Sequence, residues 1–258
     1  MTAALTALAA CGATDPATKQ NPATGEKRQA ARSSASPNGS GPRSAQAAEL
    51  IDKAIDATLG QKYLRSTRRS TSEGTTVMHS AVRGDTAECR THASKGAATL
   101  DWVITGSALY TRGSRKALML SSQAKTDPES VAVMADRWVK RDGGPYEAMR
   151  DMCASKTRRM YLKERLPSPG ELAALTATQR PGTLGGRPTT RITYRGQDGS
   201  VQFHIAAGDK PLLLRVTNPA KDLDETFTAF GEAFRVAAPA GAVTDYEMAE
   251  EVLAAQSQ

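Results

Sequence analysis

Gly186–Asn218, GRPTTRITYRGQDGSVQFHIAAGDKPLLLRVTN, decides the fold. Three runs in it alternate with a period of two. Thr190, Ile192 and Tyr194 share one face of the first run, Val201, Phe203 and Ile205 one face of the second, and Leu212, Leu214 and Val216 one face of the third. Arg191, Thr193, Arg195, Gln202, His204 and Arg215 fall opposite. Such alternation marks antiparallel strands with one buried and one wet face. Gly196-Gln197-Asp198-Gly199 and Gly208-Asp209-Lys210-Pro211 supply turn chemistry between the runs. The stretch is a β-meander, and its apolar face needs a cover. Alternation alone leaves open whether that face is packed core or the lining of a ligand site, so no ligand-binding residue is assigned from it.

Outward toward the N-terminus, the same signals recur. Leu100, Trp102 and Ile104 alternate, Gly106-Ser107 turns the chain, and Leu109-Tyr110-Thr111 returns. Lys62–Ser70, Thr75–Val82 and Glu88–Ser94 are further strand candidates, separated by Gly-containing turns. Before them, Ala47, Leu50, Ile51, Ala54, Ile55 and Leu59 form one face of an amphipathic helix, with Ser44 as N-cap and Gly60 as stop. The middle of the chain is helical. Asp127-Pro128 opens a short helix through Val131, Met134 and Ala135, and Pro145–Lys156 sets Met149, Met152 and Cys153 on one side. Arg158–Leu166 extends or follows that helix until Pro167 and Pro169 stop it. Glu171–Arg180 is ambiguous. Thr226–Val236 carries Phe227, Phe230 and Phe234, with a kink at Gly231, and Thr244–Glu247 is a capping box before a last helix. Segregated strands and helices predict an α+β fold, a large antiparallel sheet with helices on one face.

The ends of the chain differ from its middle. Leu8-Ala9-Ala10-Cys11 fits a bacterial lipobox, in which small residues precede the cleavage point and the cysteine thiol is acylated. An Ala-rich N-terminus with a chance cysteine is the other reading, and no Lys or Arg precedes the motif. Ala13–Arg43 contains no Val, Ile, Leu, Phe, Tyr or Trp and has five cations against two anions, so a disordered, mildly basic tether is expected. The expected organisation is therefore a lipoprotein signal over 1–11, a tether over 12–43 and one folded domain over 44–258.

The formal net charge of +7 admits nucleic acid or an anionic lipid surface as partner. The basic residues follow no RNP-like or zinc-finger pattern, which disfavours nucleic acid. With Cys11 set aside, Cys89 and Cys153 are left, either as a disulfide in an exported domain or as two buried thiols. Cys89 and His92 do not form a metal pair, because residues three apart on a strand face opposite ways. His79 and His204 are isolated and read as solvent-facing. No GxSxG, phosphate loop, HExxH or GxGxxG after a strand is present, so neither a catalytic residue nor a cofactor is assigned.

In Leu8–Cys11, Asp101–Gly113, Trp138–Lys140, the Gly186–Val216 block and Phe230–Glu232 with Ala238-Pro239, the chain resembles bacterial lipoproteins of the LolA/LppX/LprG type. The resemblance spans most of 44–239. It implies a curved, incompletely closed antiparallel half-barrel with helices in its mouth and a hydrophobic cavity for acyl chains. It also implies an extracytoplasmic, non-enzymatic protein anchored to the membrane by acylated Cys11. Such a protein carries a lipid or acylated ligand, or else acts as a sensor docking an envelope protein partner.

Overall fold

A computed structural model describes residues 42–83, 86–120, 128–197 and 199–257. Cys11, the lipobox and the tether lie outside the described residues.

Twelve strands among the described residues form one sheet. Helix α1 (Pro42–Leu59) leads into the first hairpins, β1 (Tyr63–Ser70), β2 (Gly74–Arg83), β3 (Thr86–Lys95), β4 (Ala98–Ile104) and β5 (Leu109–Gly113). A helical stretch follows, with α2 (Arg115–Leu120), α3 (Pro128–Met134), the short strand β6 (Val139–Arg141) and α4 (Gly144–Met149). A 3-10 turn (Arg150–Cys153), α5 (Ser155–Glu164) and α6 (Pro169–Ala174) complete it. The second set is β7 (Thr176–Leu184), β8 (Arg187–Gly196), β9 (Gly199–Ala206), β10 (Leu213–Asn218) and β11 (Leu223–Thr228). The chain closes with β12 (Val243–Thr244) and α7 (Asp245–Ala255).

Across the sheet the order is β12-β6-β5-β4-β3-β2-β1-β11-β10-β9-β8-β7. All pairings are antiparallel except β12 with β6. The end strands β12 and β7 do not pair with each other, so the sheet curls without closing. The N-terminal and C-terminal halves join where β1 pairs with β11, Ser66 opposite Phe227.

Local chemistry explains most boundaries. Gly74, at φ 87°, begins β2 where a Cβ would stand 2.2 Å from the Ser94 carbonyl oxygen, so only glycine lets β3 come this close. Thr244 and Glu247 cap α7 reciprocally, and Ser168 and Glu171 do the same for α6. Helix α1 starts at Pro42, so Ser44 lies inside its first turn, buried, instead of capping it. The ambiguous Glu171–Arg180 stretch divides into the end of α6 and the start of β7, an edge strand that tolerates Pro181.

One phase is corrected. The register of β10 shifts between Leu213 and Arg215. Leu213 and Val216, not Leu212, Leu214 and Val216, therefore pack into the core beside Phe203, and Leu214 is buried outside that cluster. A bulge inserts one unpaired residue and flips the alternation beyond it. The backbone N–H freed at Leu213 donates to Thr58 Oγ1 of α1 at 2.7 Å, so the helix satisfies what the ladder does not.

Candidate functional site: the inner face of the sheet

The sheet has an inner face covered by helices and an outer face. On the inner face, α1 sets Ala47, Ile51, Ala54, Ile55 and Leu59 against Ile192, Tyr194, Phe203, Ile205, Leu213, Val216 and Phe227 in one apolar cluster. Burial raises the Tyr194 phenol pKa to about 12, and its hydroxyl donates to the Ser44 carbonyl at 3.1 Å. A second inner cluster, over β2–β5, contains Ala87, Cys89, Ile104, Leu109 and Cys153, with Met78, Val82, Trp102 and Met149 against it. The Cys89 and Cys153 sulfurs are joined as a disulfide, with Cα atoms 5.7 Å apart. The bridge fixes the 3-10 turn, and hence the start of α5, onto β3.

Between these clusters the face turns partly polar. Ser66 on β1, Ser80 on β2 and Thr91 on β3 are all buried. Across the strands Ser80 stands between Leu64 and Cys89, and Met78 stands between Ser66 and Thr91, so hydroxyl and apolar side chains alternate over this part of the face. Helix α5 covers it and buries only Arg158 and Leu162. Arg158 is 9% exposed. One terminal guanidinium nitrogen donates to Ser80 Oγ at 2.7 Å, and the other has no partner among the described residues. Burial lowers the Arg158 pKa, and the charge of Glu225 on β11 opposes that only in part.

The cover is held at both ends of α5. Ser155 donates to the Leu59 carbonyl, and Asn218 donates to the Arg165 carbonyl at 2.7 Å. Arg159 forms ion pairs with Asp52 and Asp56 of α1.

Between α1 and the sheet the described side chains pack into one apolar cluster. The helix and sheet side chains interdigitate there. A gap of about 30 Å³ opens between α1, α6 and the end of α5, with no strand residue in its lining. Binding pockets of small molecules run to roughly 300–1,000 Å³. A larger hollow of about 350 Å³ lies on the outer face, floored by Arg90, Val103 and Trp138 and walled by residues 235–240.

The outer face is basic, and its cover was not legible in the sequence. Thr226–Val236 is not one strand: β11 ends at Thr228. Phe227 and Phe230 pack on the inner cluster, whereas Phe234 and Val236 lie across the outer face with Val103 and Tyr110. The three histidines are on this face; His92 is exposed, whereas His79 and His204 are half-buried. His79 meets the Phe234 ring edge-on, with centroids 5.5 Å apart. His92 hydrogen-bonds Asp101 at 2.9 Å, and His204 Nδ1 is buried without a partner among the described residues. Burial and then Arg65 and Arg90 hold the His79 pKa down, and burial and then Arg215 and Arg191 do the same at His204. Among the described residues no three His, Cys, Asp or Glu side chains gather to hold a metal ion.

This is an α+β protein built on a curved, unclosed, mostly antiparallel sheet with helices on its inner face. No family model and no curated protein matches the chain. Solved structures do. Lipoprotein LppX of Mycobacterium tuberculosis is 12% identical, with 76% of this chain and 100% of that one covered, at a TM-score of 0.45. MucB is 15% identical, with 78% of this chain and 66% of that one covered, at a TM-score of 0.40. The Pseudomonas aeruginosa MucA/MucB complex is 16% identical, with 79% and 60% covered, at a TM-score of 0.34. The chain thus spans just under two thirds of MucB.

Proposed function

We propose that this chain is an extracytoplasmic lipoprotein, anchored through acylated Cys11, that binds a lipid or acylated molecule between the inner face of its sheet and its helices, without catalysing a reaction. The observation that carries the reading is the unequal cover of that face. Helix α1 is held by an apolar stripe, whereas α5 buries one arginine and one leucine against the face, and in this reading α5 is the element that moves to admit a ligand. Apolar side chains flank the hydroxyls there, as an acyl chain requires. A buried Cys89–Cys153 bridge supports an oxidising, extracytoplasmic compartment. Among the described residues no helix is long and apolar enough to cross a membrane, and the attachment proposed is through Cys11.

Organic extraction of the purified protein followed by mass spectrometry tests the reading, together with uptake of a fluorescent acyl probe. Recovery of a stoichiometric lipid is expected. No lipid and no probe uptake would sink it. Cys11→Ala should move the protein out of the membrane fraction, and unchanged partitioning would refute the anchor.

A second reading, a sensor that docks an envelope protein, is favoured by the filled space under α1. Capture of one protein in stoichiometric amount from solubilised membranes, by lipid-free protein, is its expected result.

A further inference from the structure

A guanidinium taken out of water is costly unless every donor finds an acceptor. Arg158 breaks this rule in one specific place. It sits on the inner face, with one terminal nitrogen on Ser80 and the other unmatched among the described residues. No carboxylate among the described residues comes within ion-pair distance of it, although Arg159, the next residue, pairs with two. The disulfide bears on this position. Cys153 is bonded to Cys89, Cys89 pairs across the strands with Ser80, and Arg158 begins its helical bonding at Ala154, so the bridge holds the start of α5 beside the strand that carries Ser80.

The surroundings are amphiphilic. Ser66, Ser80 and Thr91 are buried hydroxyls set among apolar side chains. Leu64 and the disulfide-bonded Cys89 flank Ser80 across the strands, and Phe227 and Met78 flank Ser66. A planar, two-pronged cation with a vacant donor suits a carboxylate or a phosphate.

We propose that Arg158 is the anion anchor of the inner face. It binds the carboxylate or phosphate of an amphiphilic ligand whose acyl chain lies along the flanking apolar side chains when α5 lifts about its disulfide-bonded end. The proposal rests on the lipid-binding reading above and deepens it. A fully apolar ligand leaves the guanidinium unmatched, so the anchor selects anionic lipids over neutral ones of the same chain length.

The test is displacement of an uncharged fluorescent acyl probe from delipidated full-length protein by palmitate, lysophosphatidic acid, methyl palmitate and inorganic phosphate. In the wild type, palmitate or lysophosphatidic acid should act at about tenfold lower concentration than methyl palmitate, the size expected of one charge-assisted hydrogen bond. In Arg158→Met that ratio should fall to about one, with methyl palmitate unchanged. Arg158→Lys should keep part of it. Ser80→Ala, which removes the bond that orients the guanidinium, should lower it in a chain whose charge is intact, and it stands in if Arg158→Met does not fold. Thermal protection by inorganic phosphate alone, lost in Arg158→Met, supports the anchor with a free anion as its source. Equal potency of palmitate and methyl palmitate in the wild type, without phosphate protection, overturns the anchor and leaves lipid binding standing. Failure of the probe and of every competitor to bind overturns both.

Discussion

Reduction of the Cys89–Cys153 bridge should weaken the fold and release α5 before the rest of the chain. The bond closes a loop with a sequence separation of 64 residues. Loop entropy for that length gives about 4 kcal/mol of stabilisation at 25 °C. In a unit of this size each kcal/mol moves the melting midpoint by about 2–4 °C, so Tm should fall by about 10 °C. Dithiothreitol is the cleaner perturbation. Both sulfurs are fully buried beside Ile104 and Leu109, and Cys89→Ala/Cys153→Ala adds a small void to the loss of the cross-link. The double variant should therefore melt slightly below the reduced wild type. Calorimetry with and without reductant gives the midpoint. Hydrogen exchange gives the location: amides of 156–164 should lose protection ahead of those of β8 and β9. Peptide mapping of protein alkylated while unfolded and unreduced checks the premise. Free thiols at Cys89 and Cys153 in that map, or a midpoint indifferent to reductant, would refute the reasoning.

Three further outcomes are expected. Thr58→Val should cost about 1–3 kcal/mol in urea unfolding, because it leaves the buried Leu213 N–H without its acceptor, and a change under 0.5 kcal/mol would argue that the bulge finds another partner. Gly74→Ala should cost at least ~2 kcal/mol or prevent folding, since both the positive φ and the Ser94 oxygen oppose a Cβ; a well-folded, equally stable variant would contradict the packing of β2 on β3. Burial raises the Asp101 pKa, but hydrogen bonds from His92 and Arg112 outweigh it and leave the group below its ordinary value. A carboxylate depressed in the folded state adds stability above its unfolded pKa of about 3.9, and that stability is lost as pH falls through the folded pKa. Asp101→Asn should accordingly be less stable near neutrality by about 1–2 kcal/mol, given half-exposed partners, and should show a flatter loss below about pH 4. Parallel acid-unfolding curves would exclude the pairing as the cause.

Much of the local structure is written in the residues themselves. Period-two alternation located β8 and β9 to within three residues, Thr244 and Glu247 announced their capping box, and the apolar stripe of α1 named the side that is buried. These signals depend on neighbours a few positions away, which a sequence displays directly. The third strand of the meander shows where that stops. Its register depends on a bulge, and the bulge is stable because Thr58, far away in the chain, accepts the orphaned N–H. Nor did TATQRPGTL read as a strand, because an edge strand needs neither an apolar face nor a full set of N–H donors.

The candidate site belongs to the tertiary structure alone. Arg158 lies in SKTRRMYLKE, a polar run that reads as a solvated helix, and nothing nearby distinguishes it from Arg159. One of the two is buried against Ser80 and the other pairs with carboxylates on α1, in a helix tethered by the adjacent Cys89–Cys153 bridge and by contacts with α1. Likewise, alternation recorded that the sheet has two different faces but not that α1 fills one part of the inner face while a lone arginine covers another. The sequence by itself determined the sheet, its helical cover and the cysteine pair available to link them. Which side chain reached the inner face without a partner was decided only by long-range packing, since burial is a property of what folds over a residue and not of the residue's own neighbours in the chain.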